Sequence, residues 1–407
     1  MSDMLKVGVL GFGTVGSGVY ERLEKSRSVI ERQLGEPFEV VAILVKDRQK
    51  DRVKTDNALI TTEWLEFLRH AEYDIVFEAI GGVDPAFSYT KSLLQKGVPV
   101  ITANKKLVAI KGKHLEELAR DTQTFYGYEA AVAGAIPIVN ALRGTLATTS
   151  IHRVTGILNG TTNYMLTEMI TKNRSFADVL LEAQQLGYAE SDPTDDIESY
   201  DAWYKLAILS RLCFGKWVQL TDFSRIGVTS IEKWHVDVAN EIGCQVKLVG
   251  DAAVDGNEII GSVSPAFISN QERLASIHGV TNGIVLYGED IGELSFIGPG
   301  AGGAATANSM VEDFLFHSNY QADRAVVETK EQPALVEECL VFVNQASYGT
   351  CLHWAENNGV NIIEAVSHEE GEAWVVRDAP VHLLEQPVYR FLDQTRQSVT
   401  SKNVEVL

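Results

Sequence analysis

An α/β fold with a parallel sheet, followed by an α+β portion, is the architecture that this 407-residue chain predicts. Three observations predict it. Residues 6–10 (KVGVL) read as a short buried strand, and Gly11-Phe12-Gly13-Thr14-Val15-Gly16 follows at once, where a helix begins. Strand and helix signals then alternate, with strands at 38–45, 74–79 and 98–102. Beyond residue 150 the order changes to a strand, three helical stretches and two strand-rich stretches, which suits α+β.

The first strand needs its glycines for physical reasons. In G-x-G-x-x-G the first glycine allows a tight turn, the second lets a pyrophosphate approach the backbone, and the third lets helix and strand pack closely. The phosphates of a dinucleotide then sit on the unpaired N–H groups where the helix starts. The helix is expected to run from Thr14 into the thirties. After the second strand comes Lys46-Asp47-Arg48-Gln49-Lys50. An acid at that point favours the ribose hydroxyls of NAD, and basic residues favour the 2′-phosphate of NADP. Lys46, Arg48 and Lys50 outnumber Asp47, so NADP is expected, with NAD as the alternative.

Composition narrows the class. The length calls for two or three domains, and 45% hydrophobic with 22% charged residues is globular. A formal charge of −20 argues against nucleic acid and anionic membranes as partners. No N-terminal stretch resembles a signal peptide and no apolar run spans a bilayer, so a cytoplasmic protein is expected. The four cysteines (Cys213, Cys244, Cys339, Cys351) are scattered without metal spacing and read as reduced, buried small hydrophobes.

The middle of the chain carries chemistry. Residues 129–137 (EAAVAGAIP) form a backbone-rich segment ending at a proline that suits a helix start. A strand from 150 enters the polar turn 156–164 (GILNGTTNY), and helical patterns follow at 162–171, 176–186 and 199–214. From the loop after the second of these helices into the start of the third, Glu190, Asp192, Asp195, Asp196, Glu198 and Asp201 crowd six carboxylates into twelve positions. Asp201 and Lys205 are four apart, so they share one helix face and can pair. Such a loop suits a site that grips an ammonium group and hands over a proton; the plainer reading is a solvated acidic loop with a surface ion pair. Strands are expected at 244–251, 258–267, 283–286 and 292–296. A second glycine cluster, 298–303 (GPGAGG), precedes a helix at 304–316 and could bring another helix N-terminus to the cofactor.

With these residues the chain resembles homoserine dehydrogenases of the monofunctional kind. The resemblance rests on GFGTVG at 11–16, TANKK at 102–106, EAAVAGAIP at 129–137, GILNGTTNYML at 156–166 and GYAESDPTDD…DAWYKLAIL at 187–209, then GPGAGG. It covers about three quarters of the chain, from Lys6 to near Phe316. It implies reversible hydride transfer between a nicotinamide and L-aspartate 4-semialdehyde, yielding L-homoserine. Lys205 is implied as proton donor, with Lys105 sharing in proton handling and Asp201 supporting. Glu190, Gly187, Thr161 and Asp196 are implied for the substrate. Gly11, Phe12, Gly13, Thr14, Val15, Gly16, Lys46, Arg48, Asn104, Lys105, Gly302 and Gly303 are implied for the dinucleotide. A sodium site is implied at Glu129 with the carbonyls of Val132, Gly134 and Ile136. The chemistry is coherent: hydride attack puts negative charge on oxygen, and a positive donor aimed at that oxygen lowers the barrier.

The resemblance also implies domain limits: a Rossmann domain at 1–135 with a returning helix at 300–318, and a substrate and dimerisation domain at 136–299. A linker at 320–336 and a regulatory module at 337–407 would follow. That module is expected as βαββαβ, similar to an ACT domain, with strands at 339–343, 361–366, 373–377 and 404–406 and helices at 348–357 and 388–397. Its usual aspartate–proline–glycine turn is replaced by residues 344–349 (NQASYG), which removes the signature for amino-acid binding and leaves dimer contacts. Ser199 and Ala305 stand where the family commonly has glycine and proline. A homodimer is expected. Two rival classes are a non-catalytic dinucleotide sensor, which would not need Glu190, Asp201 and Lys205, and a phosphorylating semialdehyde dehydrogenase, which needs an activated cysteine.

Overall fold

The computed structural model describes residues 4–48, 55, 57–318, 338–358, 360–377 and 388–392. The chain divides into two compact units. In the first, β1 (Leu5–Leu10), α1 (Thr14–Lys25), α2 (Arg27–Leu34), β2 (Phe38–Leu44) and β3 (Leu59–Thr61) come in turn, then α3 (Trp64–His70), β4 (Ile75–Glu78) and α4 (Ala86–Leu94). They are followed by β5 (Val100–Thr102), α5 (Lys105–Asp121), β6 (Tyr126–Gly127) and α6 (Ile138–Arg143). The sheet order is β3-β2-β1-β4-β5-β6, with all strands parallel. Strand order reverses between β1 and β4, so a crevice opens at their carboxyl ends, where open α/β sheets bind ligands. The strands are short apolar runs because helices cover both faces; Val7, Val9, Ile75 and Phe77 are fully buried.

The single helix expected from Thr14 into the thirties is two helices. Ser26 ends α1, where its N–H reaches the Arg22 carbonyl, and its own carbonyl starts α2 by accepting from Val29 and Ile30. The Ser26 side chain makes no capping bond, so the break rests on its backbone, at φ −108° and ψ 12°.

In the second unit β7 (Ile151–Ile157) leads to α7 (Gly160–Lys172), α8 (Phe176–Gln185) and α9 (Thr194–Ile197), and α10 (Tyr200–Phe214) starts there, its residues from Ala207 on being counted with the first unit. Next come β8 (Ser224–Arg225), α11 (Lys233–Glu241), β9 (Cys244–Asp255), β10 (Glu258–Ser269), β11 (Thr281–Gly288) and β12 (Gly292–Pro299). The helix α12 (Gly303–His317) returns to the first unit, and β13 (Glu338–Asn344), α13 (Tyr348–Asn357), β14 (Asn361–His368), β15 (Gly371–Arg377) and β16 (Val388–Leu392) complete the second. One mixed sheet runs β12-β11-β7-β9-β10-β16-β13-β15-β14, with β8 beside β10. The β9–β10 hairpin is longer than the sequence suggested, since Gly256 at φ +55° closes a two-residue turn between Asp255 and Glu258.

Three expectations are corrected. Residues 388–392 form a strand and not the start of a helix at 388–397. Val388, Phe391 and Leu392 fit a helical spacing, but Tyr389 and Phe391 are the buried pair, a period of two. Residues 136–150 and 207–220 belong to the first unit. The start of α6 donates Val139 and Asn140 N–H groups to the Glu129 carboxylate, and Arg211 and Trp217 both donate to Glu116. The tail strands, expected as a separate module, continue the second unit's sheet: β16 pairs in parallel with β10, and Arg390 reaches Asp251 on β9 at 3.0 Å. Within the tail the order β16-β13-β15-β14 is antiparallel throughout. The linker at 320–336, the strand at 404–406 and Lys50 lie outside the described residues. Among the described residues no helix is long and apolar enough to cross a membrane.

Candidate active site

In the first unit the glycine motif is built as its spacing requires. Gly11 takes φ +88°, and a methyl there would fall 2.6 Å from the Ala79 carbonyl oxygen. A methyl on Gly16 would fall 2.0 Å from the Gly11 oxygen, so only glycine permits this contact. Gly13, by contrast, faces open space, and Thr14 opens α1 beside it. An empty approach over a helix N-terminus is the cradle that a pyrophosphate fills, and these residues fit a dinucleotide. The second glycine cluster meets the same place: Gly302 has φ +124°, and a methyl on Gly303 would lie 2.8 Å from Thr14 Cγ2. The Phe12 side chain is buried edge-on against Tyr20, so what Phe12 offers a dinucleotide is its backbone. Val15 also packs toward the core. Lys46 and Arg48 are exposed beyond β2, with Arg48 3.7 Å from Glu66.

Asn104 caps α5 by accepting from Leu107 N–H at 3.1 Å. Its Nδ2 donates to the carbonyls of Ile80 at 2.9 Å and Gly82 at 2.5 Å, tying the loop after β4 to the loop after β5. Glu78 locks the same two loops from below, accepting from Ile80 N–H at 2.6 Å and from the Thr102 hydroxyl. Burial pushes the Glu78 carboxyl up to about 7, against the pull of those donors. Lys105, half-buried, is the first residue of α5 after this cap. Sequence reasoning missed Glu78; an acid ending an apolar strand was the available signal.

The implied sodium segment lies deep in the first unit. Glu129 is buried and accepts from Val139 and Asn140 N–H groups, while its own N–H donates to Asp313 at 2.8 Å. Burial first, then the neighbouring Asp313 carboxylate, raises the Glu129 carboxyl above the usual range, and burial raises that of Asp313. Ala133 and Gly134 take φ +53° and +50° in succession, and the Gly134 carbonyl accepts from Ser309 Oγ at 2.6 Å. Asn140 Oδ1 is buried without a hydrogen-bond partner, beside a cavity of about 650 Å³ that Glu129, Asn140 and Ser309 also line. Val132 and Ile136 are buried in the same segment. Oxygen-rich and carboxylate-bearing surroundings fit a hard cation. Among the described residues no group of three or more His, Cys, Asp or Glu side chains could hold a metal.

The second unit holds the acid–lysine site. Lys205 and Asp201 on α10 are only 7% and 3% exposed, and Lys205 Nζ donates to Asp201 Oδ2 and to the Leu158 carbonyl, each at 2.8 Å. A solvated surface pair is therefore excluded. Asn159 organises the cluster. Its Nδ2 donates to Asp196 Oδ1 at 2.7 Å and to Asp201 Oδ2 at 2.8 Å, while its Oδ1 caps α7 through Thr162 N–H at 2.8 Å. Sequence reasoning placed Asn159 in the polar turn but gave it no role, although Asn before Gly-Thr-Thr is an N-cap signal. Thr161 Oγ1 donates to the Tyr188 carbonyl at 2.8 Å, anchoring the acidic loop to α7. Gly187 at φ +75° ends α8 in the left-handed form, and Glu190 is exposed with its carbonyl held by Gln184 at 3.1 Å. So Asp196, Asp201 and Lys205 converge, Thr161 and Gly187 shape the loop, and Glu190 stands at its surface. Ser199 is buried at φ +66°, which explains the family's glycine there. Cys213 and Cys244 are buried, and burial pushes the Cys213 thiol well up, so neither is an activated nucleophile.

A parallel sheet ending at a glycine-lined helix N-terminus, together with a buried carboxylate–lysine pair, defines a dinucleotide-dependent oxidoreductase. Residues 137–315 match the homoserine dehydrogenase family and residues 11–129 match its NAD-binding domain. A homoserine dehydrogenase from Bacillus subtilis is 39% identical over 312 residues, 76% of this chain and 72% of its own. The crystal structure of a homoserine dehydrogenase from Thiobacillus denitrificans superposes with a TM-score of 0.87 at 30% identity, covering 96% of this chain and 99% of that one. A hyperthermophilic archaeal homoserine dehydrogenase in complex with NADPH gives 0.66 at 26% identity, over 78% and 98%. The chain belongs to the homoserine dehydrogenase family. It is an NAD(P)-dependent oxidoreductase acting on a CH–OH group, interconverting L-homoserine and L-aspartate 4-semialdehyde in amino-acid biosynthesis. The sensing-protein reading has no support.

Proposed function

We propose that Lys205 is the proton donor to the nascent alkoxide and that Asp201 holds and directs it. The observation that carries this reading is the buried Asp201–Lys205 contact with Asn159 and the Leu158 carbonyl around it. A bound nicotinamide supplies the hydride. Lys205 Nζ holds a proton in a dry site, where its charge acts on a developing oxyanion far more strongly than in water. Lys105 shares the proton handling, and the ring of Glu78, Thr102 and Asn104 fixes the helix start on which it stands. Glu190 and Asp196 bind the substrate ammonium, with Thr161 and Gly187 shaping the loop.

NADP is the preferred dinucleotide, supported by Lys46 and Arg48 after β2. Sodium at Glu129, with the carbonyls of Val132, Gly134 and Ile136, would hold its segment rigid, supported by the buried acids and the unpartnered Asn140 oxygen. The antiparallel order of the tail strands supports an ACT-like module. The enzyme works as a cytoplasmic homodimer. Lys205→Ala should abolish homoserine-dependent reduction of NADP or NAD while cofactor affinity stays within about threefold; retention of most of kcat would remove Lys205 from the donor role. Comparing the two dinucleotides, each with threonine added, ranks the cofactors and tests the tail.

A further inference from the structure

Lys247 on β9 lies outside the acidic cluster and exposes none of its surface. Its Nζ donates to Asn163 Oδ1 at 3.1 Å and to the Ile277 carbonyl at 2.6 Å. Among the described residues no carboxylate pairs with it. A buried ammonium without a counter-ion is costly, and burial pushes its pKa down to about 8. What it does hold is two buried acceptors that belong to different segments.

Asn163 stands one turn after Asn159 on α7, and its N–H reaches the Asn159 carbonyl at 3.2 Å. Its Nδ2 donates to the Ile277 and Thr281 carbonyls at 3.2 and 3.1 Å. The same 277–281 segment touches α7 twice more. Gly279 N–H donates to Thr167 Oγ1 at 3.2 Å, and a methyl on Gly160 would fall 2.6 Å from the Val280 oxygen. Lys247 therefore sits at the hub of a clamp on α7, whose capping residue is Asn159.

We propose that Lys247 is a positioning residue for the reaction: with Asn163 it fixes α7 so that Asn159 is aimed at Asp201, the partner of Lys205. The proposal rests on the reading of Asp201 and Lys205 as the acid pair. Lysine suits the task because one long stem carries several N–H donors to both acceptors. Methionine would fill the same space, leave Asn163 Oδ1 buried and unpaired, and leave the Ile277 carbonyl with the longer bond from Asn163 Nδ2 alone.

The test is a double-mutant cycle on the full-length enzyme. Lys247→Met and Asn163→Ala are made alone and in an Asn159→Ala background, with kcat, KM for homoserine, NADP affinity and thermal midpoint measured for each. Lys247→Met is expected to lower kcat about ten- to hundredfold, the scale of a misplaced catalytic group. KM and NADP affinity should change by less than about threefold, and the kcat loss should shrink below about threefold once Asn159 is alanine. Losses that multiply in the double variant, or a kcat within about threefold of wild type in Lys247→Met, overturn the proposal. If Lys247→Met does not fold, Asn163→Ala carries the same cycle with an expected loss of at least about fivefold. Intact turnover in Lys205→Ala would overturn the acid-pair reading itself. Turnover lost in Lys205→Ala and kept in Lys247→Met overturns only the role of Lys247.

Discussion

Replacing Asn159 separates its two duties. Asn159→Ala removes the cap on α7, worth about 1 kcal/mol, and two hydrogen bonds to carboxylates at 2.7 and 2.8 Å. Bonds to charged groups contribute about 1.5–3 kcal/mol each, and the lower figure applies because Asp196 is half-exposed and Asp201 keeps Lys205. The sum is about 4 kcal/mol, or about 10 °C in thermal midpoint for a unit of this size. Asn159→Asp keeps the cap acceptor but turns a donor into an oxygen facing two carboxylates. Its stability should fall less through the cap, and its kcat should fall further than that of the alanine variant. Three converging carboxylates raise the new group's pKa, so a proton returns the donor as pH falls. The ratio of Asn159→Asp to wild-type kcat should therefore rise toward acid. Homoserine oxidation across pH, with melting curves, reads both effects. Wild-type kcat in Asn159→Asp at every pH would refute the reasoning and leave Asn159 as a helix cap.

Three further outcomes follow from local geometry. Gly13→Ala should weaken NADP binding at least about tenfold with an unchanged thermal midpoint, because nothing of the protein lies within 4 Å of the added methyl; Gly16→Ala should lose both, and equal behaviour of the two in a binding titration and a melt would contradict the cradle. Ser199→Gly should be more stable than Ser199→Ala by about 1 kcal/mol, since both lose the Oγ bond to the Ile226 carbonyl but only alanine keeps the strain of φ +66°; the reverse order in melting curves would count against it. Glu78, raised to about 7, holds its proton in the folded state over a range where the unfolded chain has lost it. Its stabilising contribution is full below about pH 4.5 and is lost as pH rises to about 7, at most about 3 kcal/mol. Glu78→Gln should remove that slope, and parallel melting profiles for variant and wild type between pH 5 and 8 would refute it.

Much of this was legible in the chain because the signals were local. A strand, three spaced glycines and a helix start lie within one short stretch, and the parallel order of the sheet follows from the alternation behind them. The pairing of Asp201 with Lys205 needed only a helix and a spacing of four. Asn159 was harder, since the carboxylates it serves lie 37 and 42 residues away and only the cap is local. Lys247 gave no signal at all: a lysine in a strand normally faces water, and its burial comes from α7 and the 277–281 segment. Phe12 shows the limit of a motif, whose variable positions do not say which side of the turn they face. At 388–392 two periodicities fitted one short run, and the neighbouring β10 and β13 decided for the strand.

Burial, more than the count of acids, determines which carboxylates can do chemistry. Asp192 and Asp195 are exposed, where water screens a charge and an ion pair contributes little. Asp192 spends its carboxylate on the hydroxyl of Thr194 at 2.6 Å, fixing the start of α9. Asp201 is almost enclosed, so its charge must be met inside the fold, and Lys205 from its own helix and Asn159 from the cap of α7 meet it. A lysine held this way costs more to build than a surface pair, since two ions leave water. That cost is consistent with a site where charge changes hands. A purely structural α10 could carry leucine at 205, as it does at positions 206 and 209, and pack at lower cost.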